Sequence, residues 1–69
     1  MKLIEFYDEK TKTAQVIAAR TIVSAFIDKK DLKSLTIWLD GGRVVNNHYL
    51  SEEECRRQFD TFVGLLREA

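Results

Sequence analysis

The chain has no proline, three glycines, one cysteine and one histidine in 69 residues, and its eleven basic side chains are cancelled by eleven acidic ones. Each scarcity excludes something. With no proline and no low-complexity tract there is no linker to place. At this length one domain is the ceiling, and so small a domain buries only about 60% of the surface its unfolded chain exposes, which makes for a thin core. A lone Cys55 forms no internal disulfide, whereas small secreted domains usually need such staples, so a cytoplasmic setting is expected. Zero net charge supplies no global attraction to nucleic acid or to an anionic membrane. No run approaches the roughly 20 apolar residues that cross a bilayer. In MKLIEFYDEK the acids Glu5 and Asp8 break the apolar stretch that a signal peptide would need.

The same scarcities bear on chemistry. With His48 as the only histidine, a zinc site would have to recruit several carboxylates, and neither a metal nor any other cofactor is expected. Cys55 and His48 formally suggest a nucleophile and base, yet Cys55 falls on an apolar stripe, where a thiol acts as a small hydrophobe. Glu52, Glu53 and Glu54 fit a helix's first turn, where acidic residues complement the dipole. So short a chain has little means of walling off a substrate pocket. No catalytic residues and no enzyme activity are expected.

What is present reads as a folded domain, with 45% hydrophobic and 32% charged residues. LIEFY alternates, setting Ile4 and Phe6 on one face and Leu3, Glu5 and Tyr7 on the other. DEKTKT is a hairpin loop. In AQVIAARTIVSAFIDKK, Val16, Ala19, Val23 and Phe26 fit a helical stripe, but the β-branched content favours two short strands divided near Ala19 and Arg20. A helix across residues 14–28 is the alternative. SLTIWLD alternates again, with Leu35, Ile37 and Leu39 inward and Thr36 and Trp38 outward. The DGG that follows suits a phosphate loop only if a helix begins immediately after it. A strand follows instead, weakened by Asn46 and Asn47, and Asp-Gly between apolar runs signals a type I′ hairpin with positive φ at both central positions.

Ser51 with Glu54 forms a capping box, and Cys55, Phe59, Phe62, Val63 and Leu66 recur at helical spacing. Glu52 and Glu53 each precede an arginine by four residues, the orientation that favours helix ion pairs. Gly64 costs this helix about 1 kcal/mol against alanine and suggests close packing or fraying. The expected fold is α+β: a curved antiparallel meander of four to five strands (about 2–7, 14–19, 21–28, 34–40 and 43–49). One amphipathic helix (about 52–67) lies on one face.

A single helix leaves the other sheet face uncovered. Leu3, Tyr7, Trp38, Val45 and Tyr49, with Arg43 at the margin, are the candidate interface there, since exposed apolar and aromatic surface marks binding sites. If the strands curl into a barrel, these aromatics form a second small core instead. The face suits a second copy or a partner protein. It also suits a stacking platform for single-stranded nucleic acid, with Tyr7, Trp38 and Tyr49 under the bases and Lys2, Arg20 and Arg43 on phosphates. Neutral charge, Glu5 on the same face and the lack of an RNA-recognition signature weigh against the platform.

The order of IEFYD, a short second strand, TIVSAFI, SLTIWLDGG and a strand leading into a C-terminal helix resembles the small FlbD-type flagellar family and similar short prokaryotic or phage proteins. The shared features include Leu39, Gly41, Gly42 and Val44 or Val45, while Asn46, Asn47 and His48 interrupt the family's more regular alternation. The resemblance implies a non-enzymatic accessory or regulatory protein of a bacterium or phage. The expected function is therefore protein interaction, as a homodimeric regulator or inhibitor, with nucleic-acid binding as the alternative and no membrane partner.

Overall fold

β-Branched and aromatic side chains at alternating positions draw five segments into strands: β1 (Leu3–Asp8), β2 (Thr13–Ala18), β3 (Ile22–Ile27), β4 (Ser34–Leu39) and β5 (Val44–His48). One helix, α1 (Glu52–Glu68), completes the chain in the computed structural model, which describes residues 2–68. All pairings are antiparallel, and the strands divide into two sheets, β1–β2 and β3–β4–β5. Residues 14–28 are two strands, and the helical alternative does not form. A single 3-10 turn, Ala19–Thr21, carries the chain from one sheet to the other. Thr21 Oγ1 closes that turn by donating to the Ala18 carbonyl at 2.7 Å, and Ala19 N–H donates to the Lys2 carbonyl at 2.9 Å.

The connecting loops are held by aspartates. Asp8 Oδ1 accepts from the backbone N–H groups of Lys10 and Thr11 at 2.9 and 3.3 Å, and Lys12 closes the turn at φ 58°. Between β3 and β4, Asp28 and Asp31 accept from the N–H groups of Lys30 and Lys33, and Leu32 takes φ 57°.

The DGG corner is a turn, one residue longer than Asp-Gly implies. Positive φ falls on Gly41 and Gly42, at 81° and 80°, and not on Asp40. Leu39 N–H donates to the Arg43 carbonyl at 2.7 Å, which makes Asp40, Gly41 and Gly42 a three-residue loop. Trp38 therefore pairs with Val44 and Ile37 with Val45. A two-residue Asp40-Gly41 turn would set Trp38 against Arg43 and turn Val45 outward. Since a one-residue slip moves every side chain of a strand to the opposite face, the longer loop brings Val45, Asn47 and Tyr49 inward.

The core lies between the inner faces of the two sheets and the helix. Ile4 and Phe6 from β1, Ile17 from β2, Leu35, Ile37 and Leu39 from β4, and Cys55 and Phe62 from α1 are all buried. Full burial of each such aliphatic or aromatic side chain is worth about 1.5–3 kcal/mol. Phe6 and Phe62 meet with ring centroids 5.2 Å apart, which ties the β1–β2 hairpin to the helix.

At the start of α1, Ser51 Oγ accepts from Glu54 N–H at 3.1 Å, half of the expected capping box. The Glu54 carboxylate turns the other way, accepting from Gln58 Nε2 and pairing with Arg57. Arg56 pairs with Asp60 rather than with Glu52. Gly64 is exposed and a Cβ there would meet nothing within 4 Å, so close packing does not explain it.

Candidate functional site

Alternation along β4 sends Leu35, Ile37 and Leu39 into the core and leaves Trp38 on the outward face, 42% exposed. Its direct cross-strand neighbours are Ser24 on β3 and Val44 on β5. One position along, Thr36 stands between Phe26 and Asn46 and donates from Oγ1 to Asn46 Oδ1 at 2.9 Å. Phe26 and Trp38 thus occupy diagonal positions on one face. The face reads Ser24, Phe26, Thr36, Trp38, Val44 and Asn46, with no charged side chain. A bulge between Ile22 and Ser24 adds Val23, the most exposed large hydrophobic side chain of β3, at its edge.

The six sequence candidates separate into three groups. Trp38 lies on this face, with exposed Arg43 at its loop end. Leu3 and Tyr7 are exposed on the other sheet, on the outward face of β1, where Glu5 stands between them and Val16 opposite Glu5. Val45 and Tyr49 are corrected to the inside. Val45 packs half-buried against the core opposite Ile37, and Tyr49 is 5% exposed within the core. The three-residue loop that turned β5 over is the cause. Two members of the face, Phe26 and Val44, escaped sequence reading. The signal for Val44 was its equal spacing from the corner's middle glycine, and for Phe26 the Ala25/Ile27 alternation that places Phe26 opposite to them.

Burial pushes the Tyr49 hydroxyl up to about 12, reinforced by the nearby Cys55, Asp8 and Glu9. Burial likewise raises the Cys55 thiol, consistent with a packing residue rather than a nucleophile. Asp8 is buried where β1 abuts β5. Burial raises its pKa, but hydrogen bonds from His48 and from the N–H groups of Thr11 and Lys10 outweigh it, and the carboxyl titrates below its ordinary value. His48 Nδ1 lies 3.3 Å from Asp8 Oδ2. Around this pair, Glu9 N–H donates to the His48 carbonyl at 2.9 Å and Leu50 N–H to Glu9 Oε1 at 3.0 Å. Deeper in, Gln15 Nε2 donates to the buried Asn47 Oδ1 at 3.2 Å. These contacts clasp the hairpin to β5. Among the described residues, no three of His, Cys, Asp and Glu gather as a metal-holding group.

No family model, no curated protein and no solved structure matches this chain.

No helix of the described residues is long and apolar enough to cross a membrane. What the outward face of β3–β4–β5 offers chemically is an uncharged surface of two aromatic rings and two valines. Hydroxyl and amide groups at Ser24, Thr36 and Asn46 supply polar contacts at its edges.

Proposed function

We propose that this domain works by binding protein, without chemistry of its own, and that the outward face of β3–β4–β5 is where it binds. One observation carries the reading: Phe26, Trp38 and Val44 stay 42–47% exposed on one uncharged face, while the opposite face of the same sheet packs into the core. Folding gains nothing from leaving those rings in water. Contiguous exposed apolar surface marks interaction sites, and their centres are depleted in charge and enriched in aromatic residues. On this reading the chain is a small cytoplasmic regulator or inhibitor that also self-associates. Its resemblance to the FlbD-type family supports an accessory role in a bacterium or phage.

The test is affinity capture from the native host with wild type, Trp38→Ala and Phe26→Ala, alongside Leu3→Ala from the other sheet. A specific partner retained by wild type and Leu3→Ala but lost from the first two variants is the expected result. Equal capture by all four proteins would remove the face from the function.

A second reading has an observation of its own. Phe26 and Trp38 are both exposed on one sheet face, with Arg43 at its end, and exposed aromatics beside a basic group can stack bases of single-stranded nucleic acid. Titrating a labelled single-stranded oligonucleotide at low and moderate salt separates the two. Salt-sensitive binding lost in Trp38→Ala would replace the protein-binding reading.

A further inference from the structure

β2 is the free edge of the smaller sheet: among the described residues it is hydrogen-bonded to β1 alone, in a register unbroken from the Asp8/Thr13 pair to the Leu3/Ala18 pair. Ala19 N–H donates to the Lys2 carbonyl at 2.9 Å, one step beyond that ladder, so Ile17, Gln15 and Thr13 are the residues that exchange bonds with β1. The N–H and C=O groups of Ala14, Val16 and Ala18 therefore point the other way. Thr21 Oγ1 takes the Ala18 carbonyl, and among the described residues no backbone group meets the rest. Ala14 and Val16 are also exposed. Natural edges are usually blunted by charge, proline or a bulge, and Thr13 to Ala18 has none of these.

Along this edge the two sheets part over a cleft of about 270 Å³, with Gln15 and Ile17 on the β2 side and Leu39, Arg43 and Val45 on the other. Pockets for small molecules usually run from roughly 300 to 1,000 Å³, so this one suits a side chain better than a ligand. Its walls are largely apolar, and Arg43 is the one charged residue that lines it. Arg43, like Lys12 and Arg20 just beyond the ends of β2, makes no ion pair among the described residues. A second copy paired through β2 would bring like-charged ends together whichever way it ran. Charge therefore selects against self-pairing and for an acidic strand.

We propose that β2 takes an extended acidic segment of a partner protein as a third strand of the smaller sheet. The segment's backbone pairs with Ala14 and Val16, an apolar side chain enters the cleft, and a carboxylate on the same face of the strand meets Arg43. The segment's other face runs beside the Val16 side chain, with Glu5 directly across on β1, so its acidic residues belong on the cleft side alone. This edge is distinct from the outward face of β3–β4–β5, and binding here does not depend on binding there.

Selection of peptides from a random eight-residue display library on the whole chain tests it. Enriched peptides are expected to carry Asp or Glu two residues from an apolar residue, which puts both on one strand face. The leading peptide, synthesised with a fluorescent label, is expected to bind wild type, to lose binding to Val16→Pro, and to bind Arg43→Glu about tenfold more weakly. Exchanging its carboxylate for lysine recovers affinity for Arg43→Glu. Proline at position 16 removes an N–H that β1 does not use, so the urea midpoint is expected to stay close to wild type. N-methylation of the peptide amides that face β2 breaks the same ladder from the other side and guards against a misfolded variant. A library that yields no peptide, or a peptide that tolerates both Val16→Pro and N-methylation, would overturn the proposal. Binding indifferent to Arg43→Glu and to the lysine exchange would overturn the acidic specificity. A peptide kept by Val16→Pro but lost from Trp38→Ala would sink the edge site while supporting the outward face, and edge binding with no partner lost in Trp38→Ala capture would do the reverse.

Discussion

On the β1–β2 sheet the outward residues are Leu3, Glu5 and Tyr7, opposite Ala18, Val16 and Ala14; on β3–β4–β5 they are Ser24, Phe26, Thr36, Trp38, Val44 and Asn46. Both sets contain exposed apolar groups. The first is interrupted by a carboxylate that a docking surface would have to desolvate, and the second is not. The two sheets also differ in attachment. The larger one holds Leu35 and Ile37, both at 0% exposure, whereas the hairpin joins through Ile4 and Phe6 on one side and a cluster of polar contacts around Asp8 on the other. Exposure of apolar surface alone does not distinguish the sheets; the placement of charge does.

The sharpest way to break this comparison is to ask whether the hairpin is an appendage or half of a shared core. Phe6→Ala is expected to cost about 3–5 kcal/mol and Ile37→Ala about 2–5, read from urea midpoints. A Phe6→Ala cost well below that of Ile37→Ala would make the hairpin peripheral.

A smaller effect probes the polar attachment. Asp8→Asn removes the charge that His48 and two backbone N–H groups meet, at about 1–3 kcal/mol. Because folding lowers the Asp8 pKa from 3.8, its contribution is whole above that pH and fades as pH falls below it. The gap between wild type and Asp8→Asn should therefore close in acid, and a constant gap would show that the charge is not what holds the hairpin. Gly42→Ala is expected to cost about 1 kcal/mol or more, since alanine resists φ 80° although the space beside it is open. The smallest expected change sharpens the contrast most. Trp38→Ala should shift stability by less than about 1 kcal/mol while abolishing partner binding, whereas Leu3→Ala leaves both nearly unchanged.

Much of this architecture is legible in the sequence. The inner sets Ile4/Phe6 and Leu35/Ile37/Leu39 followed from simple alternation, and α1 from its spacing and Ser51. Both patterns report burial on one side of one element, which local sequence encodes. The division into two sheets was not legible, because the 3-10 turn at Ala19–Thr21 is set by a backbone bond from Ala19 to Lys2 that no local pattern announces. Nor was the orientation of β5. Asn46, Asn47 and His48 blur its alternation, so its inner face depended on a turn length to which Asp-Gly and Gly-Gly both lay claim. Glycine in both positions made the longer loop affordable. The helix ion pairs follow from spacing only in kind, since Glu54 takes Arg57 and Asp60 takes Arg56.

The DGG corner also behaves as a parity rule for the domain. Adding or removing one residue there would exchange inside for outside along all of β5, offering Val44 to the core and Asn47 to water; adding two would restore the original faces. Length at this corner is therefore counted in pairs, and a chain related to this one by descent would be expected to vary there by two residues or not at all.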